Sequence, residues 1–335
     1  MKNTKSLMIL ISVFLLVVLS ACSSNNNTAS NNKGENKAAN TTDTAATAEP
    51  DKEAKKLKIG LTVPSLSNPF FVAMSKGAQE VATKYNAEVI TVSADQDLAK
   101  QTAQIEDFIT KKVDLILLSP FDSKGIAAAV QQAKTAGIPV ICVDGSADGG
   151  IDSVVMSDNV MAGTLAAQYL ADRLGGKGNI VIIDGPPVSA VTDRIKGFEE
   201  GIKAFPDIKV ISKQNGEGNR EKALSVMENI LQANKEINAV FAINDPEGVG
   251  VKIAAEQAGR GDEFFIVGVD GAPEAVDALK EKKAFAATSA QFPNEMVLKA
   301  VEIGIKILDG EKVEQQILIP VELITQDNVD SYRGW

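Results

Sequence analysis

Short apolar runs alternate with amphipathic segments over most of the chain from Leu57 onward. The apolar runs are rich in β-branched residues and bounded by turn residues, which is typical of buried strands. They span residues 57–63, 88–92, 114–118, 139–143, 180–183, 209–211, 239–242, 264–269 and 285–288. Between them, segments such as 98–111 and 223–233 place apolar residues at helical spacing. This alternation predicts the α/β class, with parallel sheets wrapped by helices.

The number of predicted strands indicates two sheets rather than one. So many parallel strands exceed an ordinary sheet, whereas two sheets of roughly four to six strands are common. A further short run at 153–156 is followed by Asp158 and Asn159 and then by a helical pattern at 160–174. We therefore expect two Rossmann-like lobes, with a first crossing between them near Asp158.

Polar residues follow several of the predicted strands. They are Ser119, Asp144, Asn244, Asp270 and Gln291. In open α/β sheets, ligands bind in the crevice beyond the carboxyl ends of the strands. These positions are therefore candidate ligand-binding residues.

The first predicted strand is followed by Asn68, Pro69, Phe70 and Phe71. Asn68 suits a helix N-cap, and Pro69 suits the first helical position, where its missing N–H costs nothing. Adjacent phenylalanines point in different directions on a helix, so at least one is expected to leave the core face. An aromatic ring beside a strand-end crevice suits the apolar face of a sugar.

Asp144 and Asp270 each follow an apolar strand and precede a glycine. One interpretation is a turn-forming Asp-Gly pair. The other is a carboxylate that accepts hydrogen bonds from ligand hydroxyls. The amides of Asn244 and Gln291 both donate and accept hydrogen bonds, as a hydroxyl does. This set of neutral and acidic groups suits a polyhydroxylated neutral ligand.

The start of the chain predicts export. Lys2 and Lys5 precede an apolar run at 7–19, and the ending Leu19-Ser20-Ala21-Cys22 resembles the lipobox of bacterial lipoproteins. We expect a signal peptide at 1–21, lipidation of Cys22 and a disordered tether at 22–56 that lacks Val, Ile, Leu and aromatic residues. A transmembrane anchor is the alternative, but the run falls short of the roughly 20 residues that span a bilayer. The expected location is extracytoplasmic, at a membrane surface.

Charge and composition exclude several functions. The formal net charge of −10 opposes nucleic-acid binding. The sequence has no histidine, which leaves Cys142 without the base that a cysteine nucleophile requires, so we expect Cys142 to pack in the core. Neither a metal-ligand cluster nor a phosphate-binding loop is evident, and no cofactor is expected.

A resemblance to a known family is carried by motifs spread along the chain. They are Asn68-Pro69-Phe70-Phe71, Val143-Asp144, Ser157-Asp158-Asn159, Val240-Phe-Ala-Ile-Asn-Asp245, Val267-Gly-Val-Asp-Gly271 and Ala290-Gln291. In order and spacing they resemble the periplasmic ribose-binding protein group from Leu57 to about Leu323. The resemblance implies the type I periplasmic binding-protein fold, whose two lobes close over a sugar and deliver it to the permease of an ABC importer.

The resemblance also implies lobe limits. The N-terminal lobe would comprise 57–157 and 292–320, and the C-terminal lobe 158–291 and 321–335. A three-strand hinge would join them near 156–158, 289–292 and 320–323. The protein is expected to act as a monomer.

By resemblance, Phe70 and Phe71 flank the sugar ring, and five polar residues bond its hydroxyls. These are Asn68, Asp144, Asn244, Asp270 and Gln291. Ser119 stands where ribose binders carry Asn, and Gly145 and Thr192 stand at or near positions of arginine; Gly218 and Val269 replace aromatic residues. These departures predict an enlarged cavity with fewer donors. They favour another monosaccharide, a sugar alcohol or a deoxysugar over ribose itself.

Three other functions are alternatives to transport. A glycosidase could use Asp144 and Asp270 as its two carboxylates, but the repeated strand-end pattern favours binding over catalysis. A sugar-responsive repressor needs a DNA-binding head, where this chain has an export signal. A sensor that docks on a membrane receptor stays open. The sequence therefore predicts a non-enzymatic sugar- or polyol-binding protein.

Overall fold

The computed structural model describes residues 56–335. The predicted signal peptide, Cys22 and nearly all of the predicted tether lie outside the described residues. Among the helices of residues 56–335, none combines the length and the apolar character needed to cross a bilayer.

The first part of the described chain contains five strands of one sheet and three helices. Its elements are β1 (Leu57–Val63), α1 (Pro69–Lys84), β2 (Ala87–Ser93), α2 (Leu98–Thr110), β3 (Leu115–Leu118), α3 (Ala127–Thr135), β4 (Val140–Val143) and β5 (Ser153–Ser157).

The middle of the chain builds a second sheet. Its elements are α4 (Asn159–Leu174), β6 (Lys177–Asp184), α5 (Ser189–Ile202), β7 (Asp207–Asn215), α6 (Arg220–Ala233), β8 (Ala239–Ala242), α7 (Asp245–Gln257), β9 (Phe265–Asp270), α8 (Pro273–Lys280) and β10 (Phe285–Ala290). The chain then adds α9 (Pro293–Leu308), β11 (Gln316–Ile319), β12 (Glu322–Thr325) and a 3-10 turn, Val329–Ser331.

Residues 56–335 form two sheets of six strands each. The first has the order β11-β5-β4-β3-β1-β2, and the second has the order β12-β10-β9-β8-β6-β7. All pairings are parallel except that of β12 with β10, which is antiparallel. We call the first sheet with α1, α2, α3 and α9 the first lobe, and the second sheet with α4 to α8 the second lobe. The predicted α/β class with two wound sheets is confirmed.

Hydrophobic cores lie on both faces of each sheet. In the first lobe, α1 and α9 pack on one face and α2 and α3 on the other. In the second lobe, α6, α7 and α8 cover one face and α4 and α5 the other. Strands covered on both faces read as continuous apolar runs, as in β3 and β4, whose residues are all buried. Cys142 of β4 packs in the core as expected, and burial raises the pKa of its thiol to about 12.

The predicted elements differ from the observed ones mainly at sheet edges. The run predicted at 209–211 belongs to a longer strand, Asp207–Asn215, whose residues are largely exposed. β11 and β12 were not predicted as strands, although the third crossing was expected beside them. Each is a four-residue edge strand with a partly exposed surface. Such strands lack the continuous apolar character that marks buried ones.

Candidate functional site

A cavity of about 780 Å³ lies at the carboxyl ends of strands from both sheets. Seven of the residues predicted from sequence line it. They are Asn68, Phe70, Phe71, Asp144, Asn244, Asp270 and Gln291. The loops that follow β1, β4, β8, β9 and β10 bring these side chains together. The volume lies within the range of small-molecule binding sites.

Two predicted site residues, Ser119 and Thr192, lie outside the lining of this cavity. Ser119 is fully buried at the end of β3, where its carbonyl oxygen accepts a hydrogen bond from Nε2 of Gln101. Thr192 turns its hydroxyl back onto its own helix and donates to the carbonyl oxygen of Val188 at 3.2 Å. Their neighbours, including Phe121 and Arg194, line the cavity.

An aromatic corner forms where α1 begins. Asn68 caps the helix, and its Oδ1 accepts from the backbone N–H of Phe70 at 2.9 Å. The rings of Phe70 and Phe71 pack edge to face, with centroids 5.3 Å apart. Both side chains are buried, and both rings border the cavity. The start of α1 therefore carries both the Asn68 cap and the Phe70–Phe71 ring pair.

Trp335 completes this corner and was not predicted. Its ring meets Phe70 edge to face at 5.8 Å, and its Nε1–H donates to the carbonyl oxygen of Asp270 at 3.0 Å. The last residue of the chain thus touches both lobes. Residues near it carry no strand or helix pattern, so periodicity offered no signal for its position. Its being the chain's one tryptophan was the available hint.

Arg194 is the second residue that sequence reasoning missed. It is 4% exposed, and it donates from Nε to Oδ1 of Asn159 at 2.8 Å and from Nη1 to the carbonyl oxygen of Ile243 at 2.9 Å. Its guanidinium lies 3.9 Å from Oδ1 of Asp144 and 3.8 Å from Oδ1 of Asp270. Arg194 therefore adds a buried cation, between the two carboxylates, to the neutral and acidic groups that the sequence pointed to.

Burial raises the pKa of both carboxylates. The pKa of Asp144 rises to about 6 and that of Asp270 to about 7, with Arg194 acting in the opposite direction in each case. Both residues also have positive φ angles, 75° and 134°. A non-glycine residue in this region is strained, and such strain clusters at functional sites. Asp144 and Asp270 therefore each combine a turn conformation with a side chain that lines the cavity.

The buried polar groups leave acceptors without partners. Among the described residues, Oδ1 of Asp144 and Oε1 of Gln291 have no hydrogen-bond partner. Gln291 donates through Nε2 to Oδ1 of Asp270 at 2.7 Å. Both polar atoms of the Asn244 amide are hydrogen-bonded within the protein: Oδ1 accepts from the N–H of Glu247, and Nδ2 donates to the carbonyl oxygen of Gly218. Buried acceptors without partners are costly, so this cavity favours a ligand that donates hydrogen bonds.

The space beside Gly145 is occupied by a side chain of the second lobe. A Cβ on Gly145 would lie 2.8 Å from Cγ2 of Val188, because the valine of the second lobe fills that space. Gly218 has a φ of 65°, a conformation that an aromatic side chain rarely adopts. Val269 is buried in the core of the second lobe.

The chain belongs to the family of periplasmic binding protein domains, whose model matches residues 59–312. The ribose import binding protein RbsB of Bacillus subtilis is 39% identical over 293 residues, covering 84% of this chain and 94% of that protein. The xylitol-binding protein of Mycolicibacterium smegmatis is 33% identical over 296 residues, covering 88% of this chain and 82% of that protein.

Solved structures of similar proteins agree with this assignment. An ABC transporter periplasmic solute binding protein from Actinobacillus succinogenes with bound D-allose has a TM-score of 0.77 at 32% identity, over 83% of this chain and all of that one. A solute binding protein from Bacillus halodurans with bound myo-inositol has a TM-score of 0.78 at 30% identity, over 84% of this chain and 98% of that one. The type I periplasmic binding-protein fold is confirmed.

Proposed function

We propose that this protein is an extracytoplasmic substrate-binding protein that captures a small sugar or polyol and delivers it to an ABC importer. The observation that carries the proposal is the cavity between the lobes, where two buried acceptors without partners face a space bordered by aromatic rings. The relatives named above support the same ligand class, since their names or bound ligands include ribose, xylitol, D-allose and myo-inositol.

The chemistry of the lining favours a neutral ligand with several hydroxyls. Asp144 and Gln291 each offer a free acceptor to a hydroxyl donor. The rings of Phe70, Phe71 and Trp335 offer apolar surface to the C–H face of such a ligand. Arg194 holds positive charge between the two aspartates, so a cation on the ligand is not required to balance them.

The division of the lining between lobes supports a mechanism of closure. Asn68, Phe70 and Asp144 belong to the first lobe, whereas Asn244 and Asp270 belong to the second. A ligand that touches both sets stabilises the closed state by its differential affinity for that state. In this proposal the moving bodies are residues 57–157 with 292–320, and residues 158–291 with 321–335.

The location and partners follow from the same function. Residues 1–21 would direct export, and a lipid on Cys22 would hold the domain at the membrane surface beside its permease. The binding protein would act as a monomer, and its acidic charge opposes a role with nucleic acid. Mass spectrometry of the mature N-terminus tests the anchor, since a lipidated Cys22 is expected as its first residue.

A receptor-coupled sensor is a second candidate. The fructose binding periplasmic domain of a hybrid two component system has a TM-score of 0.78 at 28% identity, over 82% of this chain. A two-lobed binding domain of this kind therefore also occurs in a signalling protein. Deletion of the gene for this protein would separate the two roles, because sugar uptake would stop if the protein serves transport and continue if it is a pure sensor.

A thermal-shift screen tests the binding function directly. The full chain is heated with D-ribose, xylitol, D-allose, myo-inositol and glycerol; a ligand at 100 times its Kd adds about 2.7 kcal/mol to the free energy of unfolding. Asp144→Ala is expected to abolish the shift, and Asp148→Ala, at an exposed carboxylate four residues later, is the matched control. A panel without any shift, or a normal response from Asp144→Ala, would contradict the proposal.

A further inference from the structure

Hydrogen bonds between serines join the two lobes beside the cavity. The backbone N–H of Ser189 donates to Oγ of Ser123 at 2.9 Å, and the N–H of Ser146 donates to Oγ of Ser189 at 2.8 Å. Oγ of Ser123 in turn donates to the carbonyl oxygen of Ser146 at 2.6 Å. Ser123 and Ser146 lie in loops of the first lobe, and Ser189 begins α5 in the second. We call these three residues the serine seam.

The seam supplies a cap that α5 lacks. The residue at its N-cap position is Val188, whose side chain has no oxygen and accepts no hydrogen bond from the helix. The first N–H groups of a helix need acceptors from outside the helix. Ser123 of the opposite lobe provides one, so the start of α5 is capped across the cleft.

Two further contacts place the lobes in register at the seam. The N–H of Ser123 donates to the carbonyl oxygen of Pro187 at 3.3 Å. Beside it, Val188 packs against Gly145, where a Cβ would lie 2.8 Å from Cγ2 of the valine. The absence of a side chain at Gly145 thus permits the approach that the serine hydrogen bonds require.

We propose that Ser123, Ser146 and Ser189 are positioning residues that stabilise the closed state without touching the ligand. None of the three lines the cavity. When the lobes separate, Ser123 and Ser189 lose their mutual hydrogen bond and exchange it for water. The seam therefore sets a ligand-independent part of the closing equilibrium, and through it the affinity for the ligand. The inference rests on the proposed function as a two-lobed binding protein.

A second contact across the cleft lies elsewhere and is expected to persist when the seam is broken. Nε2 of Gln96 in the first lobe donates to the carbonyl oxygen of Glu217 in the second at 2.7 Å. Loss of one seam hydroxyl should therefore shift the equilibrium rather than abolish closure. Removal of a capping hydroxyl corresponds to about a fivefold fall in the ratio of closed to open protein.

Trp335 offers a native probe of this equilibrium. It is the one tryptophan in the sequence, and it contacts Phe70 of the first lobe and Asp270 of the second. Opening is expected to expose its ring to a soluble quencher. Quenching of its fluorescence by acrylamide, in the full chain without any sugar, therefore measures the open fraction.

The test compares Ser123→Ala and Ser189→Ala with Ser153→Ala. The hydroxyl of Ser153 donates to the carbonyl oxygen of Glu314 at 2.7 Å within the first lobe, so its loss breaks a matched bond that does not cross the cleft. We expect quenching to rise in both seam variants and to stay at the wild-type level in Ser153→Ala. Ser123→Thr keeps the hydroxyl and should restore the wild-type value.

Equal quenching in the seam variants and in Ser153→Ala would overturn the proposal. Circular dichroism melting identifies a variant that fails to fold. If Ser123→Ala fails to fold, two other variants test the same seam independently. They are Ser189→Ala and Gly145→Ala, the second of which presses a Cβ against Val188. Because the measurement uses no ligand, it stands even if the sugar screen fails. A positive screen together with unchanged quenching would reject the seam and leave the binding function intact.

Discussion

Nη1 of Arg194 lies 3.8 Å from Oδ1 of Asp270 while it donates to the carbonyl oxygen of Ile243 at 2.9 Å. The guanidinium is thus fixed by the backbone and by Asn159 rather than by the carboxylate it compensates. It also lies near Asp144 of the opposite lobe. A single buried cation therefore serves one acidic group from each lobe.

Arg194→Leu is expected to destabilise the protein. The change leaves Asp144 and Asp270 buried without their cation, and removing one partner of a buried charge pair costs about 3–5 kcal/mol. Urea unfolding at pH 7 measures the loss. Arg173→Leu, at a largely exposed arginine over the ring of Phe265, is the control and should cost far less. Equal losses in the two variants would mean that Arg194 carries no special electrostatic role.

The affinity for sugar is expected to fall as the pH falls. Burial raises the pKa of Asp144 to about 6 and that of Asp270 to about 7. Ligand hydroxyls donate more strongly to ionised carboxylates, so protonation between pH 8 and pH 5 should weaken binding. Calorimetric titration with a sugar identified in the screen measures this, and the exposed Asp148→Ala variant should follow the wild-type profile. A flat profile would contradict a contact between ligand and carboxylates.

The stability of the empty protein is expected to change in the opposite direction. The folded-state pKa values of both aspartates lie above the usual 3.8 of the unfolded chain, so between about pH 4 and pH 7 the folded state binds more protons. Stability attributable to these groups is therefore full below pH 4 and falls as the pH rises through this window. Asp144→Asn removes one titrating group, worth on the order of 3 kcal/mol across the window. Urea unfolding over this range should show a smaller pH-dependent loss in the variant than in the wild type.

Burial determined which parts of the fold the sequence could predict. β3 and β4, covered on both faces, appear in the sequence as continuous apolar runs and were placed within a residue. β7, β11 and β12 lie at exposed edges, where pairing depends on backbone hydrogen bonds rather than on an apolar pattern. Sequence periodicity reports burial, so it is weakest at such edges.

The site followed a similar rule. Asp144, Asn244 and Asp270 lie at the carboxyl ends of strands, so the topology of parallel sheets predicted their convergence. Arg194 lies inside α5, where its position relative to the cavity depends on how that helix packs. Trp335 follows β11 and β12, which the hydrophobic pattern did not predict. The positions of Arg194 and Trp335 beside the cavity depend on tertiary packing, which a local sequence pattern does not report.

Trp335 is expected to contribute to affinity in two separable ways. Trp335→Phe keeps a ring against Phe70 but removes the Nε1–H bond to the carbonyl oxygen of Asp270, a residue held at a φ of 134°. Loss of one such bond is worth about 1 kcal/mol, or about fivefold in Kd. Trp335→Ala also removes an edge-to-face pair worth about 0.5–1.5 kcal/mol, so its Kd should rise more than tenfold.

Titration of both variants with the same sugar measures the two contributions. Tyr85→Phe, an aromatic change in the first lobe away from the cavity lining, is the matched control and should leave Kd unchanged. If Trp335→Ala bound sugar as tightly as Tyr85→Phe, the end of the chain would border the cavity without contributing to recognition. A graded series, with phenylalanine between tryptophan and alanine, would show that the terminal residue stabilises the bound state both through its ring and through its hydrogen bond to the second lobe.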